Sequence, residues 1–169
     1  MNEKITSLLN QQVNKEFYSA YLYLDIANYY DELDLDGYAS YYMIQAQEER
    51  DHALLFMKYL QVNGQKVTLE AIDKPDGVYA NALEPLEAAA RHERYVTSLI
   101  HDICHACHEA KDYRTLKFLD WFVNEQMEEE DNADSMVNRY KLFGGEPRGL
   151  YLLDQEYAAR VYTAPSLTL

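Results

Sequence analysis

The sequence predicts an all-α protein, built as a four-helix bundle with one long crossover connection and a short fifth helix at the C-terminal end. Strand signals are nearly absent, and apolar residues recur at helical spacing over long stretches. Two short joins and one long connection separate these stretches. A chain of 169 residues, 48% of them apolar, can bury one sizeable core, so we expect a single domain over residues 1–169.

Five helices are expected from the periodicity and from the residues that interrupt it. We place them at about residues 3–32, 36–63, 83–110, 113–143 and 148–160. Gly64 is expected to end the second helix, while Gly144, Gly145 and Pro147 follow the fourth.

The connection over residues 65–81 decides the predicted topology. It contains Pro75 and the turn pair Asp76-Gly77. About 17 residues can extend about 55 Å, whereas a helix of about 28 residues is only about 42 Å long. The connection can therefore run the whole length of the bundle and leave the second and third helices parallel. The other two joins are short, so each of them links antiparallel neighbours.

The composition excludes several classes of protein. The formal net charge is −14 and the sequence pI is near 4.6, so the surface repels phosphate backbones and we expect no nucleic-acid partner. No apolar run reaches the length of about 18 residues that a membrane helix needs, so we expect no membrane partner. The first residues lack the apolar segment of a secretory signal, and a cytoplasmic location is the default expectation.

The most informative feature is a set of polar residues on helix faces that should be buried. At about 100° per residue, each of the four long helices carries at least one carboxylate on or beside its apolar stripe. These residues, with the accompanying histidine and glutamine, are Glu16, Glu48, Glu49, His52, Glu93, Glu125, Gln126 and Glu129. Buried carboxylates that face one another must either take up protons or be neutralised by cations.

A bound divalent metal explains this pattern better than arginine partners do. Arg50 and Arg94 stand next to Glu49 and Glu93 in sequence, so their side chains point away from those carboxylates. Glu49 and His52 are three residues apart and can ligate one ion together. Carboxylates with one imidazole suit Fe(II) or Mn(II). The Glu-x-x-His spacing is weak evidence alone and gains weight from the carboxylates on the other helices.

The segments VNKEFYSAYLY, AQEERDHA, RHERY, FLDWFVNEQMEEE and GLYLLDQE resemble bacterial non-haem ferritin, and the similarity covers nearly the whole chain. The resemblance implies a ferritin-like bundle that oxidises Fe(II) with O₂ or H₂O₂. It also implies storage of the ferric product inside a shell of 24 identical subunits. Within the chain, it implies that Glu16, Glu49 and His52 hold one iron, that Glu93 and Glu129 hold a second, and that Glu49 bridges them.

The same resemblance assigns further roles around this di-iron centre. Tyr23 matches a tyrosine beside the centre that can donate an electron, and Gln126 matches a helix-four glutamine near the oxygen site. Glu48, Glu125 and Glu128 resemble the carboxylates of a third iron site found in some bacterial ferritins, with Glu129 shared. The acidic run that contains Glu128 could equally face bulk water or a mineral cavity.

The chain lacks two sequence features of related ferritin-like families. Bacterioferritins and rubrerythrins carry a second Glu-x-x-His on the fourth helix, where this chain has Gln126-Met127-Glu128-Glu129. Arg50 occupies the place of the haem methionine of bacterioferritins, so no haem is expected. A rubrerythrin-type oxidase or peroxidase, a passive metal-binding cage and a DNA-protecting mini-ferritin remain as alternatives.

A second candidate metal cluster lies on the third helix, where His101, Cys104, His105 and His108 share one side. Cys104 and Cys107 fall near the core stripe, where thiols behave as small apolar groups. We therefore favour core cysteines and surface histidines over a zinc site.

Overall fold

The computed structural model describes residues 1–167, and its regular structure in that range is entirely helical. The helices are α1 (Glu3–Asp31), α2 (Asp36–Val62), α3 (Glu84–Ala110), α4 (Tyr113–Arg139) and α5 (Pro147–Tyr157), with a π-helical turn at Tyr140–Gly144 between α4 and α5. The all-α bundle with a short fifth helix is confirmed. No helix in the described range is long and apolar enough to cross a membrane.

Local sequence signals begin and end the long helices. The Asn2 side chain accepts a hydrogen bond from the Ile5 amide at 2.9 Å, and Asp112 accepts one from the Thr115 amide at 3.1 Å. Both residues thereby satisfy amides that have no partner within the helix. Gly64 follows α2 with a φ of 68°, a left-handed conformation that glycine adopts without strain.

The crossover connection between α2 and α3 follows the length of α1. Asn10 accepts a hydrogen bond from the Thr68 amide at 2.7 Å, and Asn14 donates to the Ala71 carbonyl at 3.0 Å. Near the other end of α1, the Tyr30 hydroxyl donates to the Ala82 carbonyl at 2.7 Å. Twenty residues of helix, about 30 Å at 1.5 Å each, separate the first of these contacts from the last. The connection therefore crosses the bundle lengthwise, as predicted.

Two apolar clusters fill the two ends of the bundle. One is rich in tyrosine and includes Tyr23, Tyr30, Tyr38 and Tyr42. The other is built from aliphatic and phenylalanine side chains such as Ile5, Leu9, Leu60, Phe56 and Phe122. The buried Glu16, Glu49, His52, Glu93, Gln126 and Glu129 form a polar band within the core, and the two apolar clusters pack around it.

The prediction was wrong at both ends of the last connection. The fourth α-helix ends at Arg139 and is followed by the π-helical turn, whereas a regular helix was expected to continue to residue 143. The fifth helix spans Pro147–Tyr157 and not 148–160. Its early end places Arg160 beside α2, where the guanidinium donates to Gln45 at 2.7 Å.

The fifth helix completes the N-terminus of α2. Asp154 is buried and accepts a hydrogen bond from the Tyr38 amide at 3.0 Å, which supplies the cap that Leu35 lacks. Gly37 permits this approach, because a Cβ atom there would overlap the Asp154 carbonyl.

Candidate metal centre

Three side chains from α1 and α2 form a compact group of metal-ligand atoms. One ligand atom each from Glu16, Glu49 and His52 lies within 4.8 Å of the others, and all three residues are about 2% exposed. It is the one such donor group found among residues 1–167. The predicted ligands of the first iron are therefore together, and the helical spacing of Glu49 and His52 places both on the inner face of α2.

Each of these glutamates accepts a hydrogen bond from a glutamine that lies one turn earlier in the same helix. Gln12 donates a hydrogen bond to Glu16 at 2.7 Å. Gln45 donates to Glu49 at 3.4 Å and also crosses to Glu129 on α4, with a distance of 2.7 Å. The Gln12 amide thus satisfies one carboxylate oxygen and the Gln45 amide two, and neither brings a positive charge into the band.

The opposite side of the band is organised around Glu93 on α3. The Tyr23 hydroxyl donates a hydrogen bond to one carboxylate oxygen of Glu93, and the Gln126 amide donates to the other at 3.2 Å. Glu93 and Glu129 are buried but stand outside the compact donor group of α1 and α2. After burial, the charges of Glu93 and Glu49 are the next causes of the raised pKa of Glu129, so these three carboxylates lie near one another.

Burial raises the pKa of all four central carboxyls, Glu16, Glu49, Glu93 and Glu129. For three of them, electrostatic repulsion by a neighbouring carboxylate is the second cause. Glu49 raises the pKa of Glu16, and Glu93 raises the pKa of both Glu49 and Glu129. Without a metal, the band therefore retains protons that ordinary glutamates lose. A divalent cation would replace those protons and relieve the repulsion.

No arginine or lysine in residues 1–167 forms an ion pair with these four carboxylates. Arg50 lies at 3.3 Å from Asp51, and Arg94 holds Asp134 through two hydrogen bonds of 2.5 and 2.7 Å. The expectation that both arginines point away from the centre is confirmed. The four carboxylates therefore remain available to bind a metal ion.

The imidazole of His52 links the compact group to a more open region. Its Nδ1 atom lies 3.5 Å from Glu49, and its Nε2 atom lies 3.9 Å from Glu125. The rings of Trp121 and Phe122 meet the imidazole edge-on, with centroid distances of 5.5 and 5.8 Å. These contacts restrict the ring to one orientation.

The carboxylates predicted for a third site line a cavity of about 340 Å³ beside the centre. Glu48, Glu125 and Glu128 share its wall with His52 and Glu129. Glu128 is exposed, and Glu125 and Glu48 are half-buried. They do not form a compact donor group, and Glu48 is paired with the guanidinium of Arg160.

Sequence reasoning missed three residues that contact the predicted ligands. Gln12 and Gln45 each stand four positions before a ligand glutamate, and this spacing on a buried stripe was a usable signal. Arg160 reaches Glu48 from 112 positions away in sequence, a contact that helical periodicity cannot reveal.

The histidines and cysteines of α3 lie where the favoured interpretation places them. Cys107 is buried, Cys104 is half-buried and both are free thiols. His101, His105 and His108 are exposed. His92 packs inward, and its Nε2 atom lies 2.7 Å from the Ser19 hydroxyl oxygen.

A helical bundle with one long crossover and buried glutamates and histidine on facing helices defines the ferritin-like class. The ferritin-like domain family matches residues 6–143. The bacterial non-heme ferritin of Campylobacter jejuni is 36% identical over 155 residues, covering 92% of this chain and 93% of that protein. The corresponding ferritin of Staphylococcus epidermidis is 32% identical, covering 96% and 98%. The chain belongs to the ferritin family.

The fold agrees with solved ferritins over almost its full length. An open-pore ferritin from the archaeon Archaeoglobus fulgidus superposes with a TM-score of 0.93 at 37% identity, covering 95% of this chain and 98% of that one. An engineered closed form of the same ferritin gives a TM-score of 0.94 and covers 96% and 99%.

Proposed function

We propose that this chain stores iron and is a ferroxidase, oxidising Fe(II) with O₂ or H₂O₂ at a dinuclear centre within each subunit. The observation that supports this best is the buried band of four glutamates and one histidine, in which no arginine or lysine of residues 1–167 pairs with a glutamate. Such a band is costly while empty and suits two divalent cations with oxygen-rich ligation. Fe(II) is the substrate here, and its ferric product is the stored cargo.

The ligands divide between two ions. Glu16, Glu49 and His52 would bind the first Fe(II), and Glu93 and Glu129 the second, with Glu49 between them. Anionic oxygen ligands favour the ferric over the ferrous state, so the same residues that attract Fe(II) promote its oxidation. Burial keeps water from the reacting ions.

Five further residues would serve this chemistry. The Tyr23 hydroxyl already donates to Glu93, so the tyrosine can give up an electron while its proton passes to that carboxylate. Gln126 donates to the same carboxylate and holds its orientation. Glu48, Glu125 and Glu128 form the candidate third site, from which the product would leave toward an acidic surface.

The family likeness supports the assembly part of the proposal. A homo-oligomeric shell of 24 subunits without haem would provide the interior in which ferric oxyhydroxide accumulates. Arg50 is exposed and pairs with Asp51, so it offers no haem ligand at the position where bacterioferritins place one.

Anaerobic loading with Fe(II), followed by addition of O₂, tests the activity. We expect about two Fe(II) per chain to be oxidised rapidly with matching O₂ uptake, followed by slow mineral growth. His52→Ala should slow the first phase by about 100-fold or more, because it removes a ligand outright. His105→Ala is the matched control, since His105 is an exposed histidine lying 3.5 Å from a carboxylate of its own helix.

Two outcomes would contradict the proposal. Equal initial rates in the wild type and His52→Ala would remove the centre from the reaction. Iron uptake without O₂ or H₂O₂ consumption would leave a passive metal-binding shell in place of a ferroxidase. Particle sizing in the same samples separates loss of chemistry from loss of assembly.

A further inference from the structure

The residues after α5 fold back over the metal centre. We call residues 160–166 the C-terminal strap. Its first residue contacts α2, and the Tyr162 hydroxyl donates a hydrogen bond to Asp51 on the same helix. At its far end, Ser166 accepts a hydrogen bond from the Trp121 indole on α4 at 3.2 Å. The strap thus spans from α2 to α4 across the polar band.

The strap forms one side of the cavity beside the centre. Arg160, Val161, Thr163, Ala164, Pro165 and Ser166 line this side. The other side consists of candidate ligands, including His52 and Glu129 of the dinuclear centre. The strap therefore encloses the candidate third-site carboxylates on one side.

Arg160 anchors the strap through contacts with three side chains of α2. Its guanidinium pairs with Glu48, donates to Gln45 at 2.7 Å and lies over the ring of Tyr41, 4.1 Å from its centroid. The side chains of the Arg160–Glu48 pair are only 20% and 16% exposed. A pair so shielded from water is stronger than a typical surface ion pair.

The guanidinium also acts on the centre through Gln45. Because Arg160 donates to the amide oxygen of Gln45, the amide nitrogen must point the other way, where it donates to Glu129 at 2.7 Å and to Glu49 at 3.4 Å. One cation thus neutralises a carboxylate of the candidate third site and fixes the amide that holds two ligands of the dinuclear centre.

We propose that Arg160 is the resident cation of the third site, and that the C-terminal strap must give way before a metal can bind Glu48. This inference rests on the proposed function, because it assumes that the dinuclear centre binds metal. Arg160 then determines how many ions each chain holds. Two bind within the band, and a third competes with the guanidinium for one carboxylate.

Binding of Mn(II) tests the proposal without any oxidation. Mn(II) prefers carboxylate ligands, and electron paramagnetic resonance (EPR) counts the free ion. Arg160→Met keeps most of the side-chain length and removes the charge. We expect it to bind a third Mn(II) per chain about tenfold more tightly than the wild type, a change of about 1.4 kcal/mol. Arg139→Met is the matched control, since Arg139 pairs with Glu156 and neither residue lines the cavity.

The single tryptophan reports on the strap itself, because Trp121 contacts both Ser166 and His52. In the wild type, its fluorescence should change a second time as the third ion binds and displaces the strap. In Arg160→Met, the metal-free protein should already show the displaced signal. Glu48→Gln should weaken third-ion binding, so the two variants shift this affinity in opposite directions, which a purely structural role of the pair would not do.

Unchanged third-ion affinity in Arg160→Met, or weakening in both variants, would overturn the proposal. Tryptophan fluorescence that does not change when the third ion binds would also overturn the proposal. Either result would leave the proposed function standing if the first two ions still bind and His52→Ala removes one of them. Failure of His52→Ala to affect the tight sites would instead overturn the proposed centre and this inference together.

Discussion

Replacing Glu49 with glutamine should make the metal-free protein more stable while abolishing its proposed activity. Glu49 is 2% exposed, and its pKa is raised by burial and then by repulsion from Glu93. Glutamine has nearly the same volume, carries no charge and can still accept from Gln45. The substitution therefore removes an electrostatic cost and leaves no cavity.

The magnitude follows from proton linkage. A carboxyl whose pKa is raised in the folded state binds its proton more tightly there than in the unfolded chain, so stability is greatest below the unfolded pKa and falls as the pH rises toward the folded pKa. Over that window each such carboxyl costs about 1.4 kcal/mol per pH unit. For a chain of this length, that corresponds to a fall of about 3–5 °C in melting temperature per pH unit.

The assay is thermal melting of chelator-treated protein from pH 5 to pH 8. The wild type should lose stability as the pH rises, and Glu49→Gln should lose less, so that the two curves diverge toward neutral pH. Glu70→Gln is the control, because Glu70 is exposed and its substitution should leave the pH slope unchanged. A Glu49→Gln curve parallel to that of the wild type, or below it at pH 8, would refute the reasoning. Added Mn(II) should stabilise the wild type far more than the variant.

Three other substitutions probe different parts of the molecule. Tyr23→Phe should retain Fe(II) binding, lose the organic radical signal in EPR after O₂ is added, and cost about 1 kcal/mol for the missing hydrogen bond to Glu93. A persistent radical would exclude Tyr23 as its source. Gly37→Ala should lower the melting temperature by about 6 °C or more, since overlap with Asp154 costs about 3 kcal/mol. Phe56→Ala should destabilise the aliphatic cluster by about 3–5 kcal/mol in denaturant unfolding, and a loss below 1 kcal/mol would contradict the assigned packing.

Periodicity was sufficient to predict the bundle and to find the carboxylates that the fold buries between its helices. Glu16, Glu93 and Glu129 could be found because a carboxylate on an apolar stripe contradicts the pattern around it, and such a contradiction is visible within a few turns. Gln12 and Gln45 are polar residues on the same apolar stripes, so they could have been identified in the same way. The side chains of Asn2 and Asp112, which cap α1 and α4, likewise act within a few residues of their own position.

Features that depend on distant contacts could not be predicted. The π-helical turn after Arg139 and the end of α5 at Tyr157 are set by how the last helix docks on α2. The pairing of Arg160 with Glu48 depends on that docking, and neither residue carries a local sign of the other. Sequence patterns therefore identified the candidate ligands but not the arginine that pairs with one of them.

The division of the apolar core into two clusters has a consequence for evolution. Packing on either side of the polar band supplies the folding free energy, while the band itself subtracts from it when no metal is bound. Mutations that erase the ligands therefore need not cost the bundle its integrity, and can even strengthen it. A lineage of such chains can lose metal-ligand residues while keeping the same bundle, so loss of the candidate centre is an easy evolutionary step and loss of the architecture a hard one.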